Sequence, residues 1–185
     1  HGRRFYAFPL EVERLSGTTD TLPVLAPLEL LEQTPAAGGD TLCVTGQIRS
    51  YNNRAPEGRR LVISVLAETM TLCSAAHDNR AELLGTICRA PVYRRTPLGR
   101  EICDVMLAVN RPYRRADYLP CIAWGSLAHR CGGMEVGDQL RLTGRLQSRT
   151  YTKVSGDRSE ERVAFEVSIM SLAAEVPTEK EEHTG

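Results

Sequence analysis

Gly137-Asp138-Gln139-Leu140-Arg141-Leu142-Thr143-Gly144-Arg145-Leu146-Gln147-Ser148-Arg149-Thr150-Tyr151-Thr152-Lys153 is the stretch whose reading decides the fold of this chain. Leu140, Leu142, Gly144 and Leu146 fall on even numbers. Arg141, Thr143, Arg145, Gln147, Arg149, Tyr151 and Lys153 fall on odd ones. An alternation of period two sends the two sets to opposite faces of a β-strand. One face therefore belongs to a core, and the other presents cations and a tyrosine. That outer face suits a polyanion whose units have flat aromatic faces, which is the chemistry of a nucleic acid strand.

The opening motif of this stretch occurs twice. Gly39-Asp40-Thr41-Leu42-Cys43-Val44-Thr45-Gly46 repeats the pattern Gly-Asp-x-Leu-x-x-Thr-Gly, and the repeat extends well beyond it. Leu10, Val12, Arg14, Asp20, Leu22, Pro23, Ala26 and Leu30 recur 97 residues later as Leu107, Val109, Arg111, Asp117, Leu119, Pro120, Ala123 and Leu127. Ser50 matches Ser148 after a one-residue shift. A period of domain size indicates tandem duplication and not a solenoid. The division falls at residues 1–79 and 80–175, with a polar, acidic tail at 176–185. Each part can hold a small core, close to the size at which burial becomes marginal.

The second half reads as strands parted by short turns. Glu82–Tyr93, Ile102–Arg111, Tyr118–Trp124, Leu140–Lys153 and Arg162–Leu172 are strand-like, and Leu127–Cys131 is a short helix stopped by Gly132-Gly133. The first half repeats the last four strands as Phe5–Leu15, Thr21–Ala26, Thr41–Tyr51 and Leu61–Thr69, with a helix at Leu28–Gln33. Five strands with a helix between the third and fourth is the order of an oligonucleotide-binding (OB) barrel. The expected class is all-β: two tandem OB-fold five-stranded barrels, the first lacking its first strand. The chain opens at His1 directly in a strand-like run, and upstream residues are expected to supply that strand.

Net charge is zero, but it is unevenly placed. Residues 1–79 carry −2, residues 80–175 carry +4 and the tail −2. Arginine supplies nearly all the cations of the second half, which favours phosphate forks and stacking. Cys43, Cys73, Cys88, Cys103, Cys121 and Cys131 form no C-x-x-C pair. Cys43 and Cys121 sit in apolar strand patterns, and the six read as buried free thiols of a reducing cytosol, not as metal ligands or disulfides. The histidines (His1, His77, His129, His183) are scattered and read as surface residues. No apolar run reaches membrane-spanning length and no secretory signal opens the chain, so a cytoplasmic location is expected. Phosphate loops, metal-ligand spacings and nucleophile motifs are absent, so neither an enzyme nor a cofactor is expected.

Leu107-Ala108-Val109-Asn110-Arg111-Pro112, Asp117-Tyr118-Leu119-Pro120-Cys121-Ile122-Ala123-Trp124-Gly125-Ser126-Leu127-Ala128, Gly137-Asp138 and Thr143-Gly144-Arg145-Leu146-Gln147-Ser148-Arg149 resemble, in order and spacing, bacterial single-stranded DNA-binding protein. The resemblance covers essentially all of 81–173 and is weaker in the first half. It implies an OB barrel that stacks bases of single-stranded DNA on Tyr113, Tyr118, Trp124 and Tyr151, in replication, recombination and repair. Read from the residues themselves, Arg111, Arg114, Arg115, Arg145, Arg149 and Lys153 are the candidates for phosphate contacts. Aromatic platforms beside Arg and Lys are the chemistry of sequence-tolerant single-strand binding. The resemblance also implies a homodimer that gathers four barrels, partner proteins of replication and repair, and a bacterial, nucleoid-associated setting.

Each residue also has a plainer reading. Trp124, the only tryptophan, reads equally as core; Tyr118 as a cross-strand packing residue; Tyr151 as an exposed strand tyrosine; Arg94, Arg95, Arg114 and Arg115 as solvated loop charges. In the first half the positions matching Tyr113, Tyr118, Trp124, Arg141 and Tyr151 are Ser16, Thr21, Pro27, Cys43 and Asn53, while Tyr51 stays on an outer face near Arg49. That half is expected to serve as a structural partner. The alternative for the whole chain is a diverged OB-fold interaction module, a replication-restart accessory or a plasmid or phage paralogue.

Overall fold

A computed structural model describes residues 2–55, 58–74 and 77–173. The tail at 176–185, His1 and His183 lie outside the described residues. The first repeat holds β1 (Phe5–Glu13), β2 (Thr19–Pro27), α1 (Leu28–Gln33), β3 (Leu42–Ala55) and β4 (Gly58–Leu72). The second holds β5 (Ala81–Ile87), β6 (Val92–Arg95), β7 (Glu101–Arg111), β8 (Arg115–Trp124), α2 (Ser126–Gly132), β9 (Gln139–Ser155) and β10 (Arg158–Leu172). The sheets run β1-β2-β4-β3 and β5-β9-β10-β8-β7-β6, and a β5–β7 pairing closes the second into a barrel. Without β5 and β6, the second order is β7-β8-β10-β9, the same as the first. Both repeats place one parallel pair, β2–β4 and β8–β10, among antiparallel neighbours. The duplication in sequence is a duplication of topology. Among the described residues the first repeat has no counterpart of β5.

The expected strand at Glu82–Tyr93 is instead two strands. Cys88 to Pro91 leave the ladder, where Pro91 has no N–H to give. Both pieces stay on one edge of β7, with Val92–Arg95 against Asp104–Glu101 and Thr86–Ile87 against Ala108–Leu107. The break lets β5 turn away and pair with β9 as well, from Ala81↔Gly144 to Thr86↔Gln139. One bent segment thereby closes the barrel.

The twice-occurring motif is structural at every position. Gly39 and Gly137 take φ of 91° and 96°, where a side chain would be strained. Asp40 and Asp138 each accept, through Oδ2 at 2.8 Å, the N–H three residues upstream, from Ala37 and Glu135. Leu140 is buried and Leu42 half-buried. Thr45 and Thr143 share hydroxyl hydrogen bonds with Thr69 and Ser171 at a register shift in the ladder. At Gly46 and Gly144 a Cβ would collide with the carbonyl oxygens of Leu66 and Ser168 on the neighbouring strand. Two strands can approach that closely only over a glycine.

A second pair of repeated residues joins the repeats to each other. β9 pairs with β5 only as far as Gly144, so its edge beyond that point needs other partners. Asn79 brackets Leu146, accepting its N–H at 3.2 Å and donating to its carbonyl at 2.6 Å. Asp20 of the first repeat then accepts the Ser148 N–H and hydroxyl, both at 2.8 Å. Reciprocally, Asp117 accepts the Ser50 N–H at 2.8 Å, and the Tyr118 N–H donates to the Ser50 hydroxyl at 2.7 Å. Both aspartates are 1% exposed and each meets its own repeat's arginine: Arg14–Asp20 at 2.7 Å and Arg111–Asp117 at 3.2 Å. Val12, Leu22 and Ile63 join the second repeat's core of Leu107, Leu119, Leu140, Leu142 and Val167. Val24, Ala26, Ala67 and Met70 form a smaller core within the first repeat.

Not all the thiols are buried. Cys103, Cys121 and Cys131 are, and burial raises their pKa, to about 11 for Cys103. Cys43, expected inside, is exposed on β3, with its sulfur 2.7 Å from that of half-buried Cys73. The alternation of β3 places Cys43 where Arg141 stands in β9, on the outer face, and a cysteine alone carries no sign of its side.

Candidate nucleic-acid interface

Strand register gathers the candidate residues. Tyr118, Pro120, Ile122 and Trp124 share one side of β8. Ile122 pairs with Ser168 of β10, and Ser168 with Arg145 of β9. Arg149 and Tyr151 follow along the same face of β9, opposite Ala164 and Arg162. Residues from three strands thus lie on one side of the sheet, the exposed ones parted by buried Ile122, Ser168 and Gln147. Tyr118 and Trp124 are 44% and 41% exposed, so both rings lie at the surface and the indole is not enclosed in the core. Tyr151 is 37% exposed, and the Arg149 guanidinium lies 5.8 Å from its ring centroid. Lys153 is half-buried near the end of β9.

The β7–β8 connection carries the fourth aromatic. Arg111 pairs with Arg115, leaving Pro112-Tyr113-Arg114 as the turn. Tyr113 and Arg114 both take left-handed backbone, φ 65° and 56°, where glycine or asparagine is usual. Such strain costs about 1–3 kcal/mol per residue and collects at functional sites. Tyr113 is 95% exposed at the tip, with Arg114 and Arg115 exposed beside it.

Arg111 sits differently from its neighbours in the turn. Its guanidinium lies against the buried carboxylate of Asp117, which also takes Arg49 at 3.1 Å. Two arginines answer one buried aspartate at the contact between repeats. Arg145 donates to Gln147 at 3.1 Å, and Arg149 stands 3.4 Å from Glu166 while more than half exposed. Gln147, expected outside by parity, is buried, held between Arg145, which donates to it, and Glu166, to which it donates, both at 3.1 Å. Tyr51 is exposed as expected, while its neighbour Arg49 is drawn inward to Asp117.

Arg100 is the residue that sequence reasoning missed. Its guanidinium stacks 5.9 Å from the Trp124 ring centroid. No spacing in the sequence marked it: the register of the β7–β8 pair, with Ile102 opposite Trp124, brings residue 100 alongside the indole. His129, read as a surface histidine, is exposed on α2 with its ring edge-on to Tyr93 at 6.5 Å. Among the described residues no helix is long and apolar enough to cross a membrane.

Comparison with known proteins places these observations. Residues 78–173 match the family described as single-strand binding protein family. A single-stranded DNA-binding protein of Halalkalibacterium halodurans is 33% identical over 100 residues, covering 50% of this chain and 56% of that protein. One from Deinococcus radiodurans is 25% identical over 156 residues, covering 71% of this chain and 52% of that protein. The chain spans about half the length of the curated relatives it matches. The crystal structure of wild-type single-stranded DNA binding protein from Thermus aquaticus superposes with a TM-score of 0.70 at 22% identity, over 94% of this chain and 80% of that one. The likeness extends over both repeats and concerns the fold.

Proposed function

The chain belongs to the single-strand binding protein family, and we propose that it binds single-stranded DNA with little sequence preference, without catalysis. The observation that carries this reading is the common outer face of Tyr118, Trp124, Arg145, Arg149 and Tyr151. Exposed rings accept any base by stacking, worth about 1–3 kcal/mol each, and arginines beside them meet the phosphates. Tyr113, Arg114 and Arg115 extend the face from a turn that holds them in solvent. Arg111 contributes chiefly to the contact between repeats. The work this suits is coating single strands in replication, recombination and repair, in a bacterial nucleoid.

The first repeat lacks the platforms and keeps the framework, so its role is to hold the second. One small barrel spans little DNA, and two chains would join two basic faces in one particle and raise the effective concentration of the second. A homodimer with four barrels, about 41 kDa from a 20.5 kDa chain, follows. Titration with poly-dT tests the binding: quenching of the lone Trp124 is expected, and an unquenched indole at saturating DNA would overturn the reading. Light scattering checks the dimer.

A further inference from the structure

The outer face does not stop at Trp124. Beyond it, between the β6–β7 turn and α2, lies an open pocket of about 950 Å³ lined by Trp124, Arg100, Glu101, Ser126, His129 and Arg130. It is a shallow hollow, open to solvent, beside the indole. Arg100 covers part of the indole face, and no ion pair engages its guanidinium among the described residues. Arg130 projects from the last turn of α2, exposed and also without a described ion pair. The His129 ring lies beside it, packed edge-on against Tyr93. The lining carboxylate, Glu101, is occupied by Arg95 at 3.1 Å. Two guanidinium groups without an ion pair among the described residues therefore border a half-exposed indole, with the nearby carboxylate already paired.

We propose that this pocket is a phosphate subsite: the nucleotide following the base stacked on Trp124 places its phosphate between Arg100 and Arg130. The strand is thereby led off the barrel face and along α2. The inference rests on the single-strand reading above and adds a direction to it. Arg100 has two roles at the subsite, since a guanidinium lying on the indole can also fork a phosphate oxygen with its edge. An acidic peptide offers carboxylates but no base for the indole, and the pocket is continuous with the stacking face. A nucleic acid strand is the occupant that uses both halves.

Salt titrations of the full chain with a thymidine oligonucleotide test this, comparing wild type, R100A/R130A and R100K/R130K. Each phosphate contact on a single strand contributes roughly 0.7 to the slope of log K against log salt. The alanine pair is expected to lower that slope by about 1.4 while the melting temperature stays unchanged and the oligonucleotide still binds at low salt. The lysine pair is expected to restore it. If wild type binds with quenching and the alanine pair keeps the full slope, the subsite is overturned and the binding reading stands. If wild type does not bind, the reading beneath it has failed, and the subsite with it. Loss of poly-glutamate binding in the alanine pair, with an unchanged DNA slope, would assign the pocket to an acidic protein segment and overturn the proposal.

Discussion

The Asp20 carboxylate accepts two hydrogen bonds from Ser148, a residue 128 positions away in the other repeat, and donation from Arg14 completes its shell. Burial alone would raise the Asp20 pKa; the bonds from Arg14 and from the Ser148 backbone and hydroxyl outweigh it and hold the carboxyl at about 2. A depressed carboxylate pKa stabilises the fold fully above the unfolded value of 3.8, and that contribution fades as pH falls from 3.8 towards 2. Its size is of the order of 2 kcal/mol. Urea unfolding should show Asp20→Asn less stable than wild type at pH 7 and nearly equal to it at about pH 2. A gap that persists in acid would mean the effect is one of packing.

Arg111 and Arg114 should separate stability from binding. Arg111→Ala leaves Asp117 buried with Arg49 as its remaining cation, and a loss of about 1–3 kcal/mol of stability is expected. Arg114 and Arg115 are exposed at the turn and at the first residue of β8, so R114A/R115A should weaken oligonucleotide binding and lower its salt slope with melting temperature unchanged. Denaturant unfolding beside salt titrations reads both. Equal binding losses without a stability loss in Arg111→Ala would return that residue to the phosphate track.

Trp124→Ala should cost about 1–3 kcal/mol of binding. A core tryptophan would instead cost about 3–5 kcal/mol of stability, and at 41% exposure little of that is expected. Thermal melts run with fluorescently labelled DNA decide between the two.

Gly144→Ala tests the repeated motif. Its Cβ would press on the Ser168 carbonyl at the crossing of β9 and β10, so the strands must part. A destabilisation of about 1–3 kcal/mol or more is expected, and Gly46→Ala should behave alike through Leu66. Chemical denaturation measures it. An unperturbed Gly144→Ala would show that the crossing can relax at no cost.

The amino-acid sequence by itself determined most of the strands, their order, the duplication, the outward faces of Arg145 and Tyr151, and that Tyr118 and Trp124 share a side, while leaving open whether that side was core. These follow from alternation, turn residues and spacings within a few positions of each residue. Apolar context misled at Cys43, and parity at Gln147. The first is outward on a strand whose sides a cysteine does not mark, and the second is outward by period yet buried against Glu166. The bend that splits β5 from β6 was signalled only by Pro91. Tertiary structure alone decided which aspartate meets which serine, that Arg111 turns to Asp117, and that Arg100 lies over Trp124. Those contacts depend on register between strands far apart in the chain, and on one barrel covering the edge of another. An arginine in the sequence looks the same whether its partner is a buried carboxylate, an indole or a phosphate. Only the packing of the two repeats distinguishes them.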